Sequence, residues 1–360
     1  MKRRIGILTS GGDCPGLNAA IRGVAKAAYE MFDDLEIIGI ADGYAGLIEG
    51  EYEEMKQSDF SGILTQGGTI LGTSRRPFRD MRVIGEDKLD KVAAMKQNYK
   101  KMKLDCLITL GGNGTHKTAN LLSEEGLNVI GLPKTIDNDI WGTDVTFGFH
   151  TAVDIATDVI DRIHTTANSH GRVMVVEIMG NKAGWLTLYA GVAGGADVVL
   201  LPEIPYSMDK VIDAIEGRMK NGKKFSIIAV AEGAMSMDEM KMKKKDREAM
   251  LAENPYKTVA HRVAEQIQKK AELETRAVVP GHLQRGGSPS AYDRALSTRF
   301  GVHAAELIKS GIFGVSVAMA GDQVVHNPLR DVAGLTKLVP PHHQMILTAR
   351  RIGIRFGDEK

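Results

Sequence analysis

The chain of 360 residues has only two cysteines, Cys14 and Cys106, too few and too far apart in sequence for a zinc knuckle or a disulfide framework. A reducing compartment is the simple expectation. Excess charge of either sign is also missing: 46 Lys and Arg face 45 Asp and Glu, a net charge of +1. That removes the broad electrostatic footprint that nucleic acid or an anionic membrane would require. No window approaches the ~18 uninterrupted apolar residues of a membrane span. The basic start, MKRRIGILTSGGD, is broken at Ser10-Gly11-Gly12 before it could form a signal core. The expectation is a soluble cytoplasmic protein with no nucleic-acid or membrane partner. Glycine is the residue in surplus: 40 in 360, about 11% against a usual ~7%, with no collagen-like or low-complexity pattern. Such glycines belong in short turns.

Short apolar runs alternate with amphipathic stretches. RIGILTS (4–10), EIIGI (36–40), LDCLITL (104–110), LNVIGL (127–132), RVMVVEI (172–178), DVVLL (197–201), FSIIAVA (225–231) and RAVVPG (276–281) read as strands, rich in Val, Ile and Leu. Their near-continuous apolarity suits strands covered on both faces, as in parallel sheets. Ala19 to Met31 reads as a helix. Val153, Ala156, Ile160 and Ile163 share one helical face, as do Met208, Val211, Ile212, Ile215 and Met219 after a Ser207 cap. The alternation predicts α/β architecture, and the strand count suits two doubly wound, mainly parallel-sheet lobes better than one. The Met- and Lys-rich EMKMKKKDREAM (239–250) reads as a solvated surface helix or loop. Adjacent His342 and His343 point in different directions on any regular element and make no metal pair.

Open α/β sheets bind ligands beyond the carboxyl ends of their strands. In this chain those ends carry SGGDCPGLN (10–18), GGNGTHK (111–117), PKTIDND (133–139), MGNKAG (179–184), EG (232–233) and HLQRGG (282–287). Neither GGDCPG nor GGNGT fits the dinucleotide fingerprint, and no Walker A sequence is present. Glycine-rich turns that open helices can still cradle phosphates through backbone N–H groups. In TIDND, Asp137 and Asp139 sit beside Lys134 and Thr135: one carboxylate can accept a hydroxyl proton while the other holds a metal ion, the parts that phosphoryl transfer needs. Arg172, Arg276, His282 and Arg285 suit a phosphoester, and Arg75, Arg76 and Arg79 form a further cationic loop.

Together these segments resemble the phosphofructokinase family. The resemblance runs from residue 3 to about 335 through TSGGDCPGLNAAIRG, GGTILGTSRRPFRD, GGNGT, PKTIDND, SHGRV, MGNKAGW, AGGADVVLLPE, AEG and GHLQRGGSPSAYDR. The C-terminal GLTKLVPPHHQMILTARRIGIRFG is similar to a longer branch that contains both ATP and pyrophosphate users. The resemblance implies ATP-dependent phosphorylation of the 1-hydroxyl of fructose 6-phosphate, a glycolytic step. Asp137 would be the base, flanked by Thr135 and Asp139. Gly11, Gly12, Arg75, Arg76, Gly112, Asn113, Gly114, Thr115 and Lys134 would bind the donor. Thr135, Asp137, Arg172, Met179, Gly180, Asn181, Glu232, Arg276, His282 and Arg285 would bind the sugar phosphate, with Arg172 and Arg276 reaching from a neighbouring subunit. Mg2+ would sit at Asn113 and Asp139. The implied fold is a phosphoryl-donor lobe (1–148 plus 284–334) and a sugar-phosphate lobe (149–283 plus 335–360), in a homotetramer or homodimer with shared sites.

The sequence departs from the family pattern at informative points. Asn113 stands where the family usually has Asp, and an amide oxygen ligates magnesium without the charge. Asn181 replaces the usual Arg and is followed by Lys182, a point charge rather than a planar fork. Gly114 leaves room for a nucleotide α-phosphate, which favours ATP, whereas Lys134 is typical of pyrophosphate users. At the bacterial effector position Arg22 and Lys26 stand, but Gln57 and His164 replace arginines, which weakens the case for regulation by ADP or phosphoenolpyruvate. Alternatives are a pyrophosphate-dependent enzyme, sedoheptulose 7-phosphate as acceptor, and a non-catalytic sugar-phosphate or nucleotide sensor on the same scaffold.

Overall fold

In the computed structural model, residues 2–84 and 89–359 are described; residues 1, 85–88 and 360, which fall within the expected lobes, lie outside the described residues. The apolar runs become β1 (Arg3–Ser10), β2 (Leu35–Ile40), β4 (Cys106–Gly111), β5 (Val129–Pro133), β6 (Val173–Ile178), β7 (Val198–Leu200), β8 (Ser226–Ala231) and β9 (Thr275–Val278). Three further strands were not among the expected runs: β3 (Tyr52–Met55), β10 (Val315–Ala320) and β11 (Gln323–Pro328). β3 and β11 are edge strands, and both pair antiparallel. An edge strand needs to cover only one face, so YEEM and QVVHNP could remain largely polar, and Pro328 is tolerated there.

The chain divides into two compact units, Met1–Thr151 with Arg285–Lys337 and Ala152–Gln284 with Leu338–Lys360. The first holds a seven-stranded sheet in the order β11-β10-β5-β4-β1-β2-β3, and the second a four-stranded sheet in the order β7-β8-β6-β9. All pairings in the smaller sheet are parallel. In the larger sheet Leu8, Ile38, Leu107 and Val129 pack with Tyr44, Met95 and Leu122 in a buried core. In the smaller one Val175, Val198, Ile228 and Val230 pack with Val211, Val263 and Ile267. The architecture is α/β with mainly parallel sheets.

The predicted helical faces lie on the helices Phe149–His170 and Met208–Lys220. Ser207 stands at the N-cap of the latter, but its hydroxyl makes no capping bond; instead its backbone N–H donates to Gly357 O at 2.7 Å. The C-terminal segment therefore occupies the place where an isolated cap was expected. It also extends the small sheet: Arg355 bridges Val198 in parallel fashion, and Phe356 is fully buried. The Lys-rich stretch forms two short helices, Met237–Lys241 and Lys244–Glu253, with no buried residue. Among the described residues no helix is long and apolar enough to cross a membrane.

Candidate active site

Register places the loops. Ser10 of β1 pairs with Gly111 of β4, and Gly111 with Pro133 of β5. Three neighbouring strands, each ~4.8 Å from the next, therefore end level and release the loops at 11–14, 112–115 and 134–139 side by side. Gly11 has φ +88°, a left-handed backbone that only glycine takes without strain. A Cβ on Gly12 would lie 2.8 Å from Nη1 of Arg285 and 3.2 Å from Nη2 of Arg75, so two guanidinium groups press against this glycine. Lys134 is buried, and its Nζ donates to Gly12 O. Burial pushes the Lys134 amine below its usual range, an effect that Arg285 adds to and the Asp137 and Asp13 carboxylates oppose.

The TIDND loop is fixed by its own polar groups. The Asp137 N–H donates to Thr135 Oγ1 at 3.0 Å. Asn138 takes a left-handed φ of 51°, and its Oδ1 accepts from the Thr146 N–H at 3.1 Å and from Lys337 Nζ at 3.1 Å. The Lys337 N–H also donates to Asp139 O at 2.8 Å. Asp139 is largely buried, which pushes its carboxyl above the usual range, while the Asn113 amide opposes the shift. Asn113 Nδ2 lies 3.5 Å from Asp139 Oδ2, and its buried Oδ1 has no hydrogen-bond partner. Thr115 Oγ1 donates to Ser10 O at 3.3 Å, tying the second loop to the first.

In the second unit Ile178 of β6 pairs with Ala231 of β8, so Met179 and Glu232 leave adjacent strand ends. Glu232 Oε1 accepts from the N–H groups of Gly180 at 3.1 Å and Asn181 at 2.7 Å. Gln284 Oε1 accepts from the Met179 N–H at 3.2 Å. Glu203 accepts from the Gly184 N–H at 2.9 Å and the Val339 N–H at 2.9 Å. Asn181 has φ +53°, a conformation asparagine tolerates and arginine resists, which gives a local reason for the missing Arg. Lys182 beside it is exposed.

Not every expected residue joins these groups. Arg76 is exposed and pairs with Glu49 at 3.2 Å rather than turning to the donor loops. Arg285 was expected with His282 on a phosphate; its Nη1 instead donates to Asp13 O at 3.2 Å within the first unit. His282 is exposed in the second unit. Arg172 precedes β6, whose carboxyl end carries Met179 to Asn181, and Arg276 lies in β9 opposite Met174, near the amino end of β6. Both guanidinium groups reach Glu274 Oε1, each at 2.8 Å. His164 Nε2 bonds Gly194 O at 2.8 Å.

Several contributors carried no assigned role in the sequence. Gln284 lies inside GHLQRGG, so the motif marked it. Lys337 and Glu203 fall in segments noted only for resemblance. His116 falls in GGNGTHK, which gave it no role, and bonds the Gly112 carbonyl at 3.0 Å; Tyr44, which bonds the Thr115 carbonyl at 3.0 Å, gave no local signal, because its partner is set by packing. Among the described residues no group of three or more His, Cys, Asp or Glu is placed to hold a metal by itself.

Comparison with known proteins follows the same outline. A family model described as phosphofructokinase matches residues 4–308. The ATP-dependent 6-phosphofructokinase of Spirochaeta thermophila is 58% identical over 99% of this chain and 98% of its own. The ATP-dependent 6-phosphofructokinase 3 of Bacteroides thetaiotaomicron is 50% identical over 98% of this chain and 100% of its own. Among solved structures, the T-state phosphofructokinase of Pichia pastoris superposes with a TM-score of 0.78 at 31% identity; it covers 92% of this chain, which spans 35% of that longer one. The pyrophosphate-dependent phosphofructokinase of Nitrosospira multiformis shares the fold, with a TM-score of 0.80 at 21% identity over 94% of this chain and 86% of its own.

Proposed function

The chain belongs to the phosphofructokinase family, and from that premise we propose that it catalyses transfer of the terminal phosphoryl group of ATP to the 1-hydroxyl of D-fructose 6-phosphate, a step of glycolysis in the cytoplasm. The observation that carries this reading is the level ending of β1, β4 and β5, which sets the glycine loops beside TIDND. Asp137 accepts the proton of the 1-hydroxyl as its oxygen attacks phosphorus; the bond to ADP breaks, and fructose 1,6-bisphosphate is formed. Charge gathers on the transferred group, and Lys134, Arg75 and Arg285 are cations near Gly12 that can neutralise it.

Mg2+ fits the oxygen donors present. The partnerless, buried Asn113 Oδ1 and the Asp139 carboxylate are hard ligands, and phosphate oxygens and water complete such a shell. When bound, the ion would supply charge neutralisation at the phosphates.

The donor assignment rests on Gly114. A Cβ there would meet nothing within 4 Å, so the loop leaves open the room that a nucleotide α-phosphate needs. Lys134, the opposing indication, already donates to Gly12 O. On the sugar side, Glu232 takes hydroxyls, with Met179 to Asn181 forming the wall. The length of β6, about 20 Å at ~3.3 Å per residue, separates Arg172 from Met179. One sugar phosphate cannot touch both within a chain, which supports a homotetramer or homodimer whose subunits lend Arg172 and Arg276 to each other.

The test is a coupled assay for fructose 1,6-bisphosphate with ATP and pyrophosphate in parallel. Turnover with ATP is expected. Turnover with pyrophosphate alone would overturn the Gly114 reading, and silence with both, in protein that still binds fructose 6-phosphate, would overturn the enzyme.

A further inference from the structure

Three glycines between residues 111 and 114 leave the donor loop with few means of holding its own shape. Gly112 stands at the N-cap of the helix Asn113–Glu124 with φ −87° and ψ −162°, and no side chain caps that helix. What holds Gly112 is His116, one turn further on. Nδ1 of His116 lies 3.0 Å from Gly112 O, which also accepts the His116 backbone N–H at 3.0 Å. Nε2 lies 2.9 Å from Ser316 Oγ on β10. A carbonyl can only accept, so Nδ1 carries the proton and Nε2 offers its lone pair to the serine hydroxyl.

The ring sits in a space built for it. It is fully buried, and a Cβ on Gly131 of β5 would come within 3.0 Å of Nε2. Burial pushes the imidazole pKa down to about 4, so the ring is neutral at pH 7. The Gly112 carbonyl and the Asn113 N–H belong to one rigid planar unit and point in opposite directions. Pinning the carbonyl therefore aims the N–H. The first N–H groups of a helix lack partners inside it and favour anions.

We propose that His116 is a positioning residue for the phosphoryl donor: its Nδ1–H fixes the peptide between Gly112 and Asn113 so that the Asn113 N–H faces the donor phosphates. The inference rests on the reading of this loop as the donor loop. It adds a residue that touches neither substrate and reaches the donor through a single carbonyl.

The test separates the two ring nitrogens. In His116→Asn the side-chain amide nitrogen can occupy the Nδ1 position and still donate to Gly112. In His116→Gln the amide reaches the Nε2 position, serving Ser316 but leaving the Gly112 carbonyl to the backbone N–H of residue 116 alone. Ser316→Ala removes the other partner and leaves Nδ1 alone. KM for ATP, KM for fructose 6-phosphate and the melting temperature are measured for each.

His116→Gln should raise the ATP KM about tenfold, the worth of roughly one hydrogen bond, with the sugar KM changed less than about twofold. His116→Asn should restore the ATP KM to within about threefold of the native value, although it also lowers the melting temperature. Ser316→Ala should lower the melting temperature and leave the ATP KM unmoved. A native ATP KM in His116→Gln would overturn the proposal, as would ATP KM values that track melting temperature across all three variants. If His116→Gln does not fold, a strongly raised ATP KM in folded His116→Asn would overturn it, and a near-native one would support it. Native protein inactive with ATP would defeat the donor reading itself, an outcome distinct from an active enzyme indifferent to His116.

Discussion

The loops of the two sheets are held in opposite ways. In the first unit, side chains donate to backbone carbonyls: Thr73 to Gly11 at 2.7 Å, Lys134 to Gly12, Arg285 to Asp13, His116 to Gly112 and Tyr44 to Thr115. A carbonyl held in this way aims the N–H of the next residue in the opposite direction, which at Gly12 and Asn113 suits an anion; the Gly11 N–H itself donates to Ser74 O at 3.0 Å. In the second unit, side chains accept from backbone N–H groups: Gln284 from Met179, Glu232 from Gly180 and Asn181, and Glu203 from Gly184. Four N–H groups of those loops are taken, and two of the three side chains holding them are carboxylates. Such a surface suits neutral hydroxyls and repels phosphate. In the proposed scheme the 6-phosphate takes its cations from elsewhere; Arg172, at the amino end of β6, and Arg276, in the neighbouring β9, both pair with Glu274. The contrast agrees with the proposed division, in which the first unit takes the phosphoryl donor, the second takes the sugar hydroxyls and a neighbouring chain supplies cations for the sugar phosphate.

The largest break in this scheme should come from the base. Asp137→Ser is expected to lower kcat by about 10³-fold, within the range for losing a general base. Binding of fructose 6-phosphate, measured by calorimetry, should stay near native; a variant that keeps its turnover would remove Asp137 from the role. Next in size is Arg276→Ala, which should raise the KM for fructose 6-phosphate by about 10- to 100-fold, the worth of charged hydrogen bonds, and leave that for ATP nearly alone. Mixed refolding sharpens the point. Oligomers combining Asp137→Ser with Arg276→Ala should regain activity, because some sites then draw both native residues from different chains. Hybrids as inactive as their parents would show that each chain completes its own site.

Legibility from sequence followed the range of the interactions involved. The buried strands were readable because near-continuous Val, Ile and Leu is a local property, and β3 and β11 were not, since an edge strand may stay polar. TIDND and the glycine loops stood out because phosphate chemistry needs them contiguous. Asn113 and Asn181 stood in the sequence as expected site residues that lack the family's charge. In the structure Asn181 answers a left-handed backbone, and Asn113 keeps an oxygen beside Asp139. Tyr44 could not be found by motif, because the Thr115 carbonyl it serves is brought near by tertiary packing, whereas His116 and Glu203 lie in quoted segments, GGNGTHK and AGGADVVLLPE, that gave them no role.

The comparison also predicts how donor choice should respond to charge. Gly114→Asp places a carboxylate in open space among outward-facing N–H groups. It should lower kcat/KM for ATP by about tenfold or more, through lost room and like-charge repulsion. Any pyrophosphate activity should suffer less, and equal losses would refute the steric account.

The smallest effect tests the carboxylate side. Burial raises the Glu203 carboxyl above its usual range, against the pull of its bonds to Gly184 and Val339. A raised folded-state pKa means that the folded chain binds more protons than the unfolded chain between the unfolded pKa and the higher folded one. Stability from this group therefore falls as pH rises through that window and grows as pH is lowered towards about 4.3. Glu203→Gln removes the titration, so the melting temperature of the native protein should fall relative to that of the variant as pH rises through the window. Loosening Gly184 should also raise the KM for fructose 6-phosphate by about threefold, with the ATP KM unchanged, because the bond lost is a single one on the sugar side. Parallel melting profiles would mean that Glu203 stays ionised throughout. A change in the ATP KM would mean that the two kinds of loop are not the separate devices their opposite hydrogen-bond polarity implies.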